Sequence, residues 1–437
     1  MNVRTFVVLA AVAVVAIAAW PAFILNQNRA MAAAPSPAPV MADYLHRDAI
    51  VAVFERDVKK NPDQLITRML ASQYLMRFRE TGDIGDLLRA ENVARRSLVY
   101  QPRNNVTADM TLASALLSLH RFKSAQRYAR DAYAIEPWNS GAVAQVASID
   151  VELGRYDDAQ RLLRRSGEPG PEIDVALYTS QARYDELSGD ISEARRLTQR
   201  AMVAVDSIVD SPAEARAWYH FRDGELAWAI GDYATAERRF NEALTIFPAY
   251  PRAYNALARM YLGQQRWHEA LDAATRAADI LPLPETLGYK ADAQRALGDI
   301  QGARVTQDTI LAIERIGNAQ RVNDRALAVY YSEHGIRTAD AIAIARRDVI
   351  ARDDVFAEDT LAWALAQAGQ WQEAQLHARR AVALDTQDAR LQYHAGVIAL
   401  RNGDTAEAKR RLARALELNP QFHPVYADDA RRLLAQM

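Results

Sequence analysis

Ala253-Tyr254-Asn255-Ala256-Leu257-Ala258-Arg259-Met260-Tyr261, then Trp267-His268-Glu269-Ala270, then Ala274, Ala277 and Pro282, is the stretch on which the fold turns. It reads as two short helices joined by a tight turn at Gln265-Arg266. Ala258, Ala270 and Ala277 are small where two helices must cross closely. Tyr254, Leu257 and Tyr261 are large enough to fill the layer between one pair and the next. Pro282 cannot continue the second helix and stops it.

Working outward, the turn and the alanine behind it recur through the chain. Copies run Gly85–Ala90, His120–Ala125, Gly154–Ala159, Gly189–Ala194, Gly231–Ala236 and Gln265–Ala270. They continue at Gly298–Ala303, Gly369–Ala374 and Gly403–Ala408, with a looser copy at Gly335–Ala341. The alanines step mostly by about 34 residues. Longer steps fall at Ala204–Pro212, which reads as an extended helix or loop, and across Ile316–Arg325. Glycine ends the first helix of each pair because a left-handed backbone costs it nothing. The Asp or other polar residue that follows can cap the second helix. Prolines 102, 137, 171, 212, 248, 282 and 420 stop the second helices. One such pair cannot bury its apolar face alone, so stability must come from stacking neighbours.

This pattern resembles the tetratricopeptide repeat family, in an exported or membrane-anchored bacterial form. The resemblance covers residues 45–420. It implies an all-α, right-handed solenoid of about ten helix-turn-helix repeats, curved into an open trough. A polar-faced helix at Pro424–Gln436 is expected to cap the last repeat, and Asp48–Lys60 to lead into the first. The resulting plan is an apolar segment over 1–29, an Ala/Pro-rich linker over 30–44, the solenoid over 45–420 and the cap over 421–437. In this family the first helices line the inner groove. The matching positions are Asn255 and Arg259, with Ser114, Ser148, Arg183, Phe221, Glu225, Arg325, Trp363, Tyr393 and Val397. Some members grip a peptide's terminal carboxylate with groove Lys, Asn and Arg; here Asn255 with Arg259 resembles part of that set. The resemblance implies a protein or peptide partner held in the groove, extended or helical.

The N-terminus carries a different signal. No charge occurs between Arg4 and Arg29, and the run from Thr5 to Leu25 is apolar save for Pro21. About 20 apolar residues suffice to cross a bilayer as a helix. A retained anchor and a signal peptide cleaved near Ala30–Ala34 both fit. Either puts the body outside the cytoplasm, on the periplasmic side of an inner membrane or secreted. Pro35, Pro37 and Pro39 make the linker an extended spacer.

Composition removes several function classes. There is no cysteine, so disulfides, thiolate zinc sites and cysteine nucleophiles are excluded. The 53 basic residues are almost all Arg, a bias of GC-rich bacterial coding, and 55 acidic residues leave a net charge of -2. That balance gives no basic face for nucleic acid. The sequence holds no HExxH, no phosphate-binding glycine loop and no GxSxG elbow. Asp157-Asp158, Asp353-Asp354 and Asp428-Asp429 sit at helix ends and read as caps. His377 and His394 read as groove or surface histidines rather than metal ligands. No cofactor, metal or catalytic residue is expected. The sequence therefore points to a non-enzymatic scaffold of the cell envelope. The alternative is a component of an envelope transport system that binds a small molecule or polysaccharide.

Overall fold

The computed structural model describes residues 47–165, 174–317 and 324–437. The N-terminal apolar segment and the linker lie outside them, as do Pro171 and the middle of the Ile316–Arg325 step. Leu45–Met437 forms one compact unit. Every regular element among the described residues is a helix.

A lead-in helix, α1 (Arg47–Lys60), precedes the hairpins α2 (Gln64–Thr81) and α3 (Ile84–Tyr100), α4 (Val106–Ser118) and α5 (Phe122–Ile135), and α6 (Ser140–Glu152) and α7 (Tyr156–Arg165). Next come α8 (Val175–Leu187) and α9 (Ile191–Ser207), α10 (Ala213–Ala229) and α11 (Tyr233–Ile246), and α12 (Pro251–Gly263) and α13 (Trp267–Ile280). The last four pairs are α14 (Pro284–Ala296) with α15 (Ile300–Gly317), α16 (Asp324–Glu333) with α17 (Thr338–Ala351), α18 (Val355–Gln367) with α19 (Trp371–Ala381), and α20 (Ala389–Arg401) with α21 (Thr405–Leu418). α22 (Tyr426–Gln436) closes the chain. Helices pack on their sequence neighbours from α1 to α15 and again from α16 to α22, and α16 joins the two runs by packing on α14.

The local chemistry follows the sequence reading. Asp190, Asp232 and Asp404 accept from the backbone N–H three residues on and cap α9, α11 and α21. Ala125, Ala159, Ala194, Ala236, Ala270, Ala374 and Ala408 are wholly buried where the paired helices cross. The Ala204–Pro212 step is explained by α9, which runs on to Ser207. One copy is corrected. Gly85 lies inside α3, and the left-handed turn is at Gly82, with φ 75°. Two Gly-Asp pairs stand close together there, and Asp83 is the cap: it accepts from Gly85 N at 2.8 Å.

The winding is tighter than an open trough. Val355 N donates to Tyr156 Oη at 2.9 Å across 199 residues, roughly six ~34-residue repeats. Arg352 reaches Glu152 at 3.2 Å and lies over the Phe122 ring. Thr386 Oγ1 donates to Leu187 O at 2.6 Å. Tyr233 Oη donates to Asn419 Oδ1 at 2.6 Å, and Asn419 Nδ2 donates to Trp228 O at 2.7 Å. In each case a turn within an early hairpin meets a loop that follows a late hairpin. The successive coils of the superhelix touch.

The terminal helix does more than cap. Tyr426 stacks on Tyr393 with centroids 4.7 Å apart, meets Trp363 edge-on at 5.6 Å, and accepts from Trp363 Nε1 at 3.3 Å. Its own hydroxyl reaches Glu333 O at 3.5 Å. α22 therefore covers the inner faces of α16, α18 and α20.

Candidate functional site

The groove positions expected from the sequence divide into two groups. Phe221, Trp363 and Tyr393 do not line an exposed floor. Phe221 packs between Phe240 and Tyr250, within 6.0 Å of each. Trp363 and Tyr393 are 6% and 3% exposed, covered by α22, and Tyr393 Oη donates to Asp429 at 2.7 Å. These three are core: Phe221 because Phe240 and Tyr250 enclose it, Trp363 and Tyr393 because α22 closes over them. His394 is corrected with them: it is buried, stacked 4.1 Å from Trp363, with Nδ1 3.0 Å from Asp359. His377 pairs with Glu358.

The charged positions remain partly exposed, and each has a partner. Arg325 joins Asp348 and Asp354 and ties α16 to α17 and to the start of α18. Arg183 pairs with Glu186 at 2.7 Å and lies over Phe356 of the next coil. These two serve the winding.

Glu225, Asn255 and Arg259 are different. α10 and α12 present them side by side, one repeat apart. Arg259 Nη2 donates to Glu225 Oε1 at 2.6 Å, and its guanidinium lies over the Trp228 indole, 3.9 Å from the centroid. Asn255, one turn earlier on α12, donates through Nδ2 to Glu285 Oε2 at 3.1 Å. Tyr289 Oη donates to the other Glu285 oxygen at 3.0 Å. Burial opposes the Arg259 cation, but the Glu225, Tyr289 and Glu285 oxygens hold its pKa above the ordinary value. Burial beside Glu285 pushes the Tyr289 phenol well up. Both groups thus keep their ordinary charge states, Arg259 cationic and Tyr289 neutral.

Three polar atoms in this patch are buried and unpartnered: Trp228 Nε1, Arg259 Nε and Asn255 Oδ1. Two donate and one accepts. A buried polar atom left unpaired costs roughly 1–3 kcal/mol, and three of the ten such atoms among the described residues fall in this patch. The rim is ionic. Arg390 pairs with Glu333 at 3.3 Å, and His334 Nε2 lies 2.8 Å from Asp292. Burial, with Arg390 nearby, drives the His423 imidazole down to about 3, so it stays neutral.

Trp228, Glu285, Tyr289 and Arg390 escaped the sequence reading. Trp228 had a usable signal: it sits one helical turn from Glu225 on the same face of α10. Arg390 had none, because its approach depends on how tightly the coils wind. Elsewhere, a shallow cavity of about 680 Å³ lies between α11 and α13, edged by Tyr254, His268, Asp272 and Arg276. Its Arg276 and Asp272 satisfy each other at 2.9 Å. Among the described residues no group of His, Asp and Glu could hold a metal ion, and no helix is long and apolar enough to cross a membrane.

Hairpins stacked in series around a lined interior define a helical-repeat interaction protein. Two family profiles, each described as tetratricopeptide repeat, match residues 85–184 and residues 221–283 with 360–421, together just over half the chain. The chain belongs to the tetratricopeptide repeat family, an architecture for binding proteins and generally not for catalysis. No curated protein matches it. Among solved structures it is similar to PilW, a widely conserved type IV pilus biogenesis factor, at 19% identity over 48% of this chain and 94% of that one, TM-score 0.40. It is also similar to the human IFIT1 dimer, at 14% identity over 86% and 95%, TM-score 0.45. A tetratricopeptide repeat protein from Parabacteroides merdae matches at 15% identity over 58% and 98%, TM-score 0.39.

Proposed function

We propose that this chain is a scaffold that binds an extended segment of a partner protein over Trp228, Asn255 and Arg259. The observation that carries the reading is the trio of unpartnered atoms. A peptide backbone offers one acceptor and one donor per residue. With the Arg259 guanidinium swung off the Trp228 ring to uncover these atoms, its carbonyls match Trp228 Nε1–H and Arg259 Nε–H, and its N–H matches Asn255 Oδ1. Glu225 and Glu285, with Arg390 also close to Arg259, supply charge selection. A polysaccharide, the competing ligand, would stack on the indole. Arg259 already lies over that ring at 3.9 Å, which favours the peptide.

The N-terminal run supports a location at the envelope. In this reading Thr5–Leu25 holds the chain at the inner membrane, the prolines of the linker space the body from it, and the body works on the periplasmic side. Protease added to intact spheroplasts should digest the body of an envelope protein and spare a cytoplasmic one.

The site itself is tested by affinity capture with the full chain. Arg259→Gln and Trp228→Leu should each lose a stoichiometric protein partner while helicity by circular dichroism is unchanged. Asp272→Asn, in the outer cavity, should keep it. Equal capture by all three variants would refute the site. Retention of a purified glycan with no protein partner would refute the peptide reading.

A further inference from the structure

The touching coils use only half of the edges the solenoid offers. Every hairpin has a turn at one edge of the superhelix and a loop to the next hairpin at the other. Early turns sit on late loops. A Cβ built on Gly189 would lie 2.7 Å from Asp385 O, and one on Gly154 or Gly263 would overlap the carbonyl of Asp353 or Gln421. The late loops are accordingly buried at Arg352, Asp354, Thr386, Gln387 and Asn419.

The opposite pair of edges has little such cover, the ion pair of Arg79 with Glu214 at 3.0 Å being one contact there. At the late turns, a Cβ on Gly298, Gly369 or Gly403 would meet nothing within 4 Å. At the early loops, large apolar side chains stand in solvent: Val99 is 78% exposed, Trp138 79% and Val209 92%, with Tyr100 and Ile208 beside them. Such residues at successive loops of one edge are more than scattered surface hydrophobics. The late turns carry Ile300, Ile336 and Trp371 where the covered early turns carry Phe122, Tyr156, Ile191 and Tyr233. Charge also differs between the edges. Lys59, Lys60, Arg103 and Arg165 are exposed along the early loops with Asp210, and Asp299 and Asp404 along the late turns, where Arg337 is held by Asp340 and Glu314. The exposed Arg401 is drawn over the Trp371 ring.

We propose that copies of this chain stack head to tail, the late turns of one seated on the early loops of the next. The partner is a second copy because the contact repeats, between chains, the turn-on-loop contact already made within each chain. A contact between two different surfaces does not close on itself after one step, so it builds a run of copies. The stack leaves the Trp228–Arg259 patch untouched, and the inference stands whether or not that patch binds a peptide.

The test is sedimentation velocity of the full chain in a mild detergent, where the micelle contribution is common to all variants. The unmodified chain should sediment faster as concentration rises, beyond a dimer. Trp138→Glu and Ile300→Glu, both at exposed positions, should each weaken association about tenfold or more. An equal mixture of the two should regain dimers and nothing larger, because one variant keeps an intact turn edge and the other an intact loop edge. A concentration-independent monomer would overturn the proposal. So would association abolished by Trp138→Glu but untouched by Ile300→Glu, or a mixture that regains nothing.

Discussion

The backbone N–H of Val355 donates to the phenol oxygen of Tyr156 at 2.9 Å, joining residues 199 apart in the chain. Val355 opens α18, and its N-cap Asp354 already serves Phe356 and Ala357. The Val355 N–H would otherwise be one of the orphans at a helix start. Tyr156→Phe keeps the ring and removes the acceptor. It should cost about 1 kcal/mol and speed amide hydrogen exchange at Val355, with exchange in α12 and α13 unchanged. Unaltered protection at Val355 would show that the two coils do not meet there in solution.

A pair of glycines separates backbone strain from coil contact. Gly154 and Gly369 have nearly equal left-handed φ, 72° and 74°. A methyl on Gly154 overlaps Asp353 O, whereas one on Gly369 meets nothing within 4 Å. Gly369→Ala should cost about 1 kcal/mol for the backbone alone. Gly154→Ala carries that cost plus displacement of the second coil, and should lose roughly 1–3 kcal/mol more. Thermal melts of the two variants measure the difference. Equal losses would contradict the touching coils.

The hairpins were legible in the sequence because their determinants are local. A turn residue, a cap and a small residue at a helix crossing all lie within about one repeat. The Gly82 turn was misplaced by a second Gly-Asp pair three residues on, which shows how little separates true from decoy at that range. Superhelical tightness is a different kind of quantity. It sums small rotations over six hairpins, and no single residue encodes it. Hence Arg325 and Arg183 read as groove residues when they brace the winding, and Trp363 and Tyr393 read as exposed when α22 covers them. Asn255, Glu225 and Arg259 sit on adjacent hairpins, where the family register still holds, and the structure places them side by side.

Burial of Asp109 makes stability depend on pH. It lies on α4, almost wholly buried, and burial beside Asp131 pushes its carboxyl from 3.8 up to about 6. The folded pKa exceeds the unfolded one, so the folded chain binds the extra proton between those values. The contribution is therefore fully present below about pH 4 and lost as pH rises through 6. At pH 8 the ionised carboxylate opposes folding. Asp109→Asn should then stabilise the chain by on the order of 2 kcal/mol at pH 8 and have little effect at pH 4. Chemical denaturation at the two pH values reads this directly, and a gain of equal size at both would place the effect in packing instead of charge.

The proposed function requires a peptide held against the patch of α10 and α12. A photoreactive amino acid placed at Asn255, in the full chain expressed in its own cells, probes that contact at one position. The same amino acid at Asp272 on the outer cavity serves as the control. Binding on the inner patch predicts one discrete adduct with a second protein at 255, lost when Arg259→Gln is added, and none at 272. An adduct at 272 with none at 255 would contradict it.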